Sequence, residues 1–192
     1  MKNICVYASS SCLLDDIYLD TAFRLGGRIA QKGYGIVFGA GTDGLMGALA
    51  RGAAEQGGAL IGVIPEMMNV KEIIFEHCTQ LHVTRTMRER KALMEEKADA
   101  FIALPGGFGT FEEILEIIAF KQLGCHQKPV AFFNVNGYYD ALIAQFDEAV
   151  CQQFTAKEAL SVFGVYGNID EMLNDMETDR PAATYKKNEL MK

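Results

Sequence analysis

Chemistry in this 192-residue chain concentrates where glycines, a hydroxyl and carboxylates fall together. The segment Pro105-Gly106-Gly107-Phe108-Gly109-Thr110-Phe111-Glu112-Glu113 sets three glycines and a threonine directly ahead of two acids. Glycine lets a backbone approach a ligand closely. Amides at a helix start face its positive end, so Gly107, Phe108, Gly109 and Thr110 suit a phosphate. Thr110 also reads as an N-cap. A purely structural reading stands beside this one. Thr110 to Glu113 spells S/T-x-x-E, a capping box in which Glu113 only secures the helix start. Residue chemistry by itself leaves both open.

A second loop, Gly39-Ala40-Gly41-Thr42-Asp43-Gly44-Leu45-Met46-Gly47, contains G-x-G-x-x-G between an apolar run and a small-residue helical pattern. Gly41 and Gly44 there can let a nucleotide approach, or can serve helix–sheet packing alone. A dinucleotide site fits less well. The loop follows the second predicted strand, and the nearest acid at the end of the next strand, Glu66, sits behind Pro65. Between the two loops runs a charged stretch from Arg85 to Lys97 that includes Arg90 and Lys91. On periodicity alone it is a solvated helix face.

These loops need elements to hold them. Short apolar runs predict strands at 4–7, 35–38, 60–64, 100–104, 130–133 and 161–165, with a further short one near Leu81. Longer patterns predict helices at 15–32, 43–56, 86–98, 111–123, 138–150 and 169–176. Apolar strands alternating with helices imply an α/β fold, a mostly parallel sheet flanked by helices on both faces. Residues 1–178 read as one catalytic domain and 179–192 as a polar, frayed tail. In such sheets ligands bind at the carboxyl ends of strands, where both glycine loops fall.

Composition narrows the partners. Hydrophobic residues make up 49% and charged residues 22%, the balance of a folded soluble protein. A net charge of −7 argues against nucleic-acid binding, which favours basic surfaces, yet leaves room for one local phosphate pocket. No apolar run approaches the roughly 18 residues of a membrane span, and the N-terminus reads directly into a strand without a signal-peptide pattern. Five cysteines, odd in number and without a CxxC pair, read as reduced thiols of a cytoplasmic protein. His77, His82 and His126 are not spaced as metal ligands.

The glycine loop, Met87-Arg88-Glu89-Arg90-Lys91 upstream, Gly41 to Gly47 and Gly62-Val63-Ile64-Pro65 together resemble the Lonely Guy (LOG) family. Its signatures are PGGxGTxxE, M-x-x-R-K, G-x-x-G-L-M-G and GVIP. These are phosphoribohydrolases that activate cytokinins, many once labelled lysine decarboxylases. The likeness covers about residues 3 to 175. It implies a modified Rossmann-like fold, a homodimer, no metal, no redox cofactor, and hydrolysis of an N6-modified adenosine 5′-monophosphate to free base and ribose 5-phosphate. It implies catalytic roles for Arg90 and Glu113 and a substrate contact for Glu72. Lys91 and Glu112 are further candidates for substrate contact, Lys91 beside an equally simple reading as an exposed helix lysine, and the loop from Gly107 to Thr110 is the candidate site for the 5′-phosphate through its backbone amides. Four positions depart from the family's habit: Ala8 and Ala40 where glycine is usual, Arg88 for histidine, and Ala119 for a substrate-contacting threonine. They bear on substrate preference more than on the reaction.

N-glycoside cleavage passes through a ribosyl cation-like state. A carboxylate near the anomeric carbon can stabilise that charge and activate water, and Glu113 is the candidate, with Glu112 second. Two other readings stay open, a general AMP nucleosidase-like hydrolase and a non-catalytic nucleotide-binding protein. Lysine decarboxylation would need pyridoxal phosphate on a lysine with a partner for the pyridine nitrogen. No lysine here has that setting. Met67, Met68 and Phe75 are candidates for a dimer interface.

Overall fold

A computed structural model describes residues 1–70 and 72–178; the expected tail at 179–192 lies outside them. In chain order the elements are β1 (Asn3–Tyr7), α1 (Asp16–Gln31), β2 (Gly35–Phe38), α2 (Gly44–Glu55), β3 (Leu60–Pro65), β4 (Gln80–Thr84), α3 (Met87–Lys97), β5 (Ala100–Ala103), α4 (Phe108–Gln122), β6 (Val130–Phe133), α5 (Asp140–Cys151), β7 (Gly164–Tyr166) and α6 (Ile169–Glu177). The strands form one all-parallel sheet in the order β4-β3-β2-β1-β5-β6-β7.

The period of two along each strand divides the core into two layers. Ile4 and Val6 point to the side covered by α1, α2 and α6, where Leu25, Leu49 and Leu173 pack. Cys5 and Tyr7 point to the side covered by α3, α4 and α5, where Met94, Ile114 and Phe146 pack. Both faces are therefore buried, which is why the strands read as unbroken apolar runs. The small residues of α2 bring it close to α1: a methyl on Gly52 would stand 1.9 Å from the Phe23 carbonyl oxygen.

The strand order reverses between β1 and β5, so the chain leaves these two neighbours in opposite directions across the sheet. The crevice beyond their carboxyl ends is the place where α/β sheets take ligands. It is flanked by Ser9 after β1 and by the loop from Leu104 to Gly107 after β5.

Several boundaries differ from the sequence expectation. Helix α4 starts at Phe108, three residues early, because Phe111 N–H already reaches the Gly107 carbonyl at 3.0 Å. Gly107 is the N-cap, and Thr110 lies inside the first turn. The first two residues of the strand expected at 161–165 close a 3₁₀ turn over Lys157–Val162, and β7 begins only at Gly164. A 3₁₀ turn at Val135–Gly137 precedes α5. The short strand near Leu81 exists as β4, the edge of the sheet.

Candidate active site

Helices α3 and α4 stand side by side on one face of the sheet and bring two distant charges together. Arg90 Nη1 donates to Glu113 Oε1 at 2.6 Å, and Arg90 Nε donates to the Val63 carbonyl within β3 at 3.1 Å. The side chains keep only 9% and 12% of their exposure. The guanidinium is thus fixed at two points, and the solvated-face reading of Arg90 does not hold. Space for it comes from Gly39, just after β2: a methyl there would stand 2.2 Å from Nη2.

The same contact removes Glu113 from the capping role. Its carboxylate turns to Arg90, and no side chain caps α4. Burial pushes the Glu113 pKa above the ordinary carboxylate value, and the Arg90 charge offsets only part of that push. A carboxylate so placed is a strong proton acceptor when ionised, and an accessible one, because a sliver of its surface remains open. Beneath it, burial also drives the Tyr7 phenol and the Cys5 thiol up, so both stay neutral.

Lys91, one residue along α3, reaches two acids of α4, Glu112 and Glu116, the latter at 2.9 Å. Burial pulls its pKa down, but these two hydrogen bonds outweigh that, and the net shift is upward. Glu112, Glu116 and Ala119 are spaced four and three apart, one stripe of α4. Ala119 and Glu112 are exposed, as is Arg88.

The loop before α4 presents amides. Among the described residues, none of the N–H groups from Gly106 to Thr110 donates a hydrogen bond. Four consecutive carbonyls there are all engaged: Leu104 accepts from Tyr139 Oη at 2.6 Å, Pro105 from Ser9 N at 3.2 Å, Gly106 from Tyr138 Oη at 2.5 Å, and Gly107 from Phe111 N. Free amides at the start of a 15-residue helix are an arrangement that suits an anion. A methyl on Gly107 or Gly109 would meet open space, and Phe108 is 92% exposed. Thr110 is buried and closes over Gly106, where a methyl would stand 2.1 Å from its Oγ1. Sequence reading missed Gly39, Tyr138 and Tyr139; the adjacent tyrosines carried no motif that could have flagged them.

The second glycine loop has structural reasons for its glycines. Gly44 has φ +57°, and a methyl on it would collide with the backbone of Ser9–Ser11. A methyl on Gly41 would stand 2.8 Å from Met46 Sδ. Ala40, where glycine is usual, carries the strained φ of 61° while fully buried. The segment bearing Glu72 lies on this loop: Thr42 N donates to Ile73 O, Phe75 N donates to Ala40 O, and Gly41 bridges Ile74. Glu72 itself is exposed.

A cavity of about 270 Å³ opens against Gly106 and Gly107 from the α1 side, between Ser9, Leu14, Tyr18 and Tyr138. A larger cleft, about 510 Å³, lies between α1 and the start of α6 and touches none of Arg90, Lys91, Glu112 or Glu113. The chemistry follows the charged residues and not the volume.

A family model described as "Possible lysine decarboxylase" matches residues 46–176. The chain is 39% identical over 176 residues to cytokinin riboside 5′-monophosphate phosphoribohydrolase LOG2 of Arabidopsis thaliana, covering 92% of this chain and 83% of that protein. The chain belongs to the Lonely Guy (LOG) family. It is also 38% identical to LOG7 of the same plant, over 94% of this chain and 83% of the relative. Among solved structures, the molybdenum cofactor binding protein of Rippkaea orientalis superposes with a TM-score of 0.70 at 20% identity, covering 93% of this chain and 97% of that one. At that identity the likeness speaks for the Rossmann-like fold alone. Three of the LOG motifs of this chain meet at one side chain: Arg90 of the R-K segment bonds the closing glutamate of PGGxGTxxE, Glu113, and the Val63 carbonyl of GVIP.

Proposed function

We propose that this protein hydrolyses the N-glycosidic bond of a nucleoside 5′-monophosphate, releasing the free base and ribose 5-phosphate. The observation that carries the reading is the buried pair of Arg90 and Glu113 beside a loop of free amides, in a chain whose relatives bear the name phosphoribohydrolase.

The 5′-phosphate sits on the amides of Gly107, Phe108, Gly109 and Thr110, favoured by the α4 dipole. The bond from C1′ to the base nitrogen lengthens, and positive charge builds on the ribose. The Glu113 carboxylate stabilises that charge and takes a proton from the attacking water. Water oxygen bonds to C1′, and the base leaves with the bond's electron pair and takes up a proton. Arg90 holds Glu113 in position and favours its ionised form. Lys91, Glu112 and Glu72 form the polar rim, with Gly41 and Gly44 shaping the adjacent loop.

An N6-modified adenosine 5′-monophosphate is the proposed substrate. Support for hydrolysis over simple binding comes from Glu113: phosphate binding needs no buried carboxylate, and a carboxylate opposes an anion. A homodimer in the cytoplasm completes the reading. Met67 is 78% exposed, and Leu81 and Val83 of edge strand β4 are also open, an apolar surface suited to a second copy. Phe75, an expected interface residue, instead packs in the core against Phe38. All five cysteines are free thiols, and no helix of the described residues is long and apolar enough to cross a membrane.

Chromatography of products from AMP and from isopentenyladenosine monophosphate tests the reaction. Release of base and ribose 5-phosphate is the expected result, faster from the N6-modified nucleotide. Equal rates would favour a general AMP nucleosidase, and binding without release from either would overturn hydrolysis.

A further inference from the structure

We infer that Tyr138 is a positioning residue for phosphate binding: its phenol holds the Gly106 carbonyl away from the anion site, so that the loop offers amides alone. The inference rests on the phosphate loop of the proposed function and adds a residue outside its motif.

The argument begins with peptide geometry. In a trans peptide the C=O and N–H of one unit lie in a plane and point in opposite directions. Tyr138 Oη donates to the Gly106 oxygen at 2.5 Å, and no peptide bond among the described residues is cis. The Gly107 N–H is therefore directed away from Tyr138. Glycine on both sides of this peptide leaves its plane with little intrinsic preference. Gly107 in addition has no neighbour within 4 Å of a methyl position that could restrict it. A free Gly106–Gly107 peptide could turn over and present its oxygen to a phosphate, replacing an attraction by a repulsion.

The other three carbonyls of the stretch are held by groups that cannot easily let go. Pro105 and Gly107 are bonded to backbone amides, and Leu104 to the fully buried Tyr139. Only the Gly106 carbonyl depends on a side chain at the surface: Tyr138 is 40% exposed. Its ring is kept in place by stacking on Phe111 of α4, with centroids 6.5 Å apart, and by edge contacts with Tyr139 and Tyr18. Loop and brace are thus locked to the same helix whose dipole receives the anion.

Tyr138→Phe removes the hydroxyl and keeps the ring, its stacking and the cavity wall. One net hydrogen bond corresponds to roughly a 3- to 10-fold change in an equilibrium. We expect the Kd for inorganic phosphate and for ribose 5-phosphate to rise by about that factor, in a folded protein whose melting temperature falls by no more than a few degrees. KM for AMP should rise in parallel while kcat stays within about twofold, and the preference for AMP over adenosine in kcat/KM should fall by the same factor. A merely structural role would not move that ratio. Unchanged phosphate affinity in the folded variant, or an equal loss for AMP and adenosine, overturns the inference. If the wild-type protein releases no base from any nucleotide, the proposed function fails, while the phosphate titration of the two proteins still decides the role of Tyr138.

Discussion

Gly39 and Arg90 lie so close that a single methyl group on the glycine would stand 2.2 Å from the arginine's Nη2. The guanidinium cannot simply withdraw, because Val63 O and Glu113 hold it from two sides. Gly39→Ala therefore forces a choice between breaking the pair and shifting the backbone after β2. Overpacking of this kind costs about 1–3 kcal/mol. The expected outcome is a folded protein with a lowered melting temperature and a severe loss of turnover. Wild-type kinetics in Gly39→Ala would mean that the position of Arg90 is irrelevant to the chemistry.

Glu113→Gln separates charge from shape. The amide oxygen can still accept from Arg90, so the buried cation keeps a partner and the fold should survive. Removing Arg90 instead strands a buried carboxylate, and breaking such a pair typically costs about 3–5 kcal/mol. For Glu113→Gln we expect kcat to fall by about 10²–10⁴-fold with little change in nucleotide affinity. Single-turnover rates alongside equilibrium titration with AMP would check both halves; a soluble variant that turns over normally removes Glu113 from the mechanism.

What was legible in the sequence and what was not follow from range. The glycine loops, the two carboxylates and the strands are local patterns, and all but the last strand, which begins three residues late at Gly164, appear within a residue or two of their expected places. The start of α4 was misjudged because Thr110 looks like a cap, while Gly107 actually ends the loop. Two contacts 23 and 27 positions apart in the chain decide the state of Arg90. The first was suggested only by the family likeness, and the second had no signal at all, since any residue at position 63 offers a carbonyl. Tyr138 illustrates the same limit: its partner lies 32 positions away and is a backbone oxygen.

The pH dependence of turnover should report Glu113. Burial raises its pKa above 4.5 in the folded protein, and the proposed mechanism needs the ionised form. Activity should therefore rise with pH through a limb lying above the ordinary carboxylate range. Arg90 counteracts the upward shift, so Arg90→Gln, if folded, should move that limb to still higher pH. Stability runs in the opposite sense. The native state binds the extra proton between 4.5 and the raised value, so this group's contribution is full below 4.5 and is lost as pH rises through the raised pKa. Melting curves of wild type and Glu113→Gln across that window should diverge; parallel curves would show that Glu113 titrates normally.

Lys91 presents a competition that mutation can resolve. Its ammonium is already held by Glu112 and Glu116, whose carboxylates keep 59% and 35% of their exposure. Pairs that open to water contribute about 0–1 kcal/mol, so a nucleotide phosphate or ribose can draw Lys91 away at small cost. Lys91→Met should lower stability by no more than about 1 kcal/mol. It should raise KM for AMP by roughly 3- to 10-fold with kcat nearly unchanged, the net value of one hydrogen-bonded contact. Because the contact is charged and near the surface, the difference between the two proteins should shrink as salt rises. An unchanged KM at low salt would assign Lys91 to holding α3 against α4 and nothing more. A large fall in kcat would instead make it part of the arrangement that keeps Arg90 on Glu113, since the two lysine–glutamate contacts join the same pair of helices one residue away.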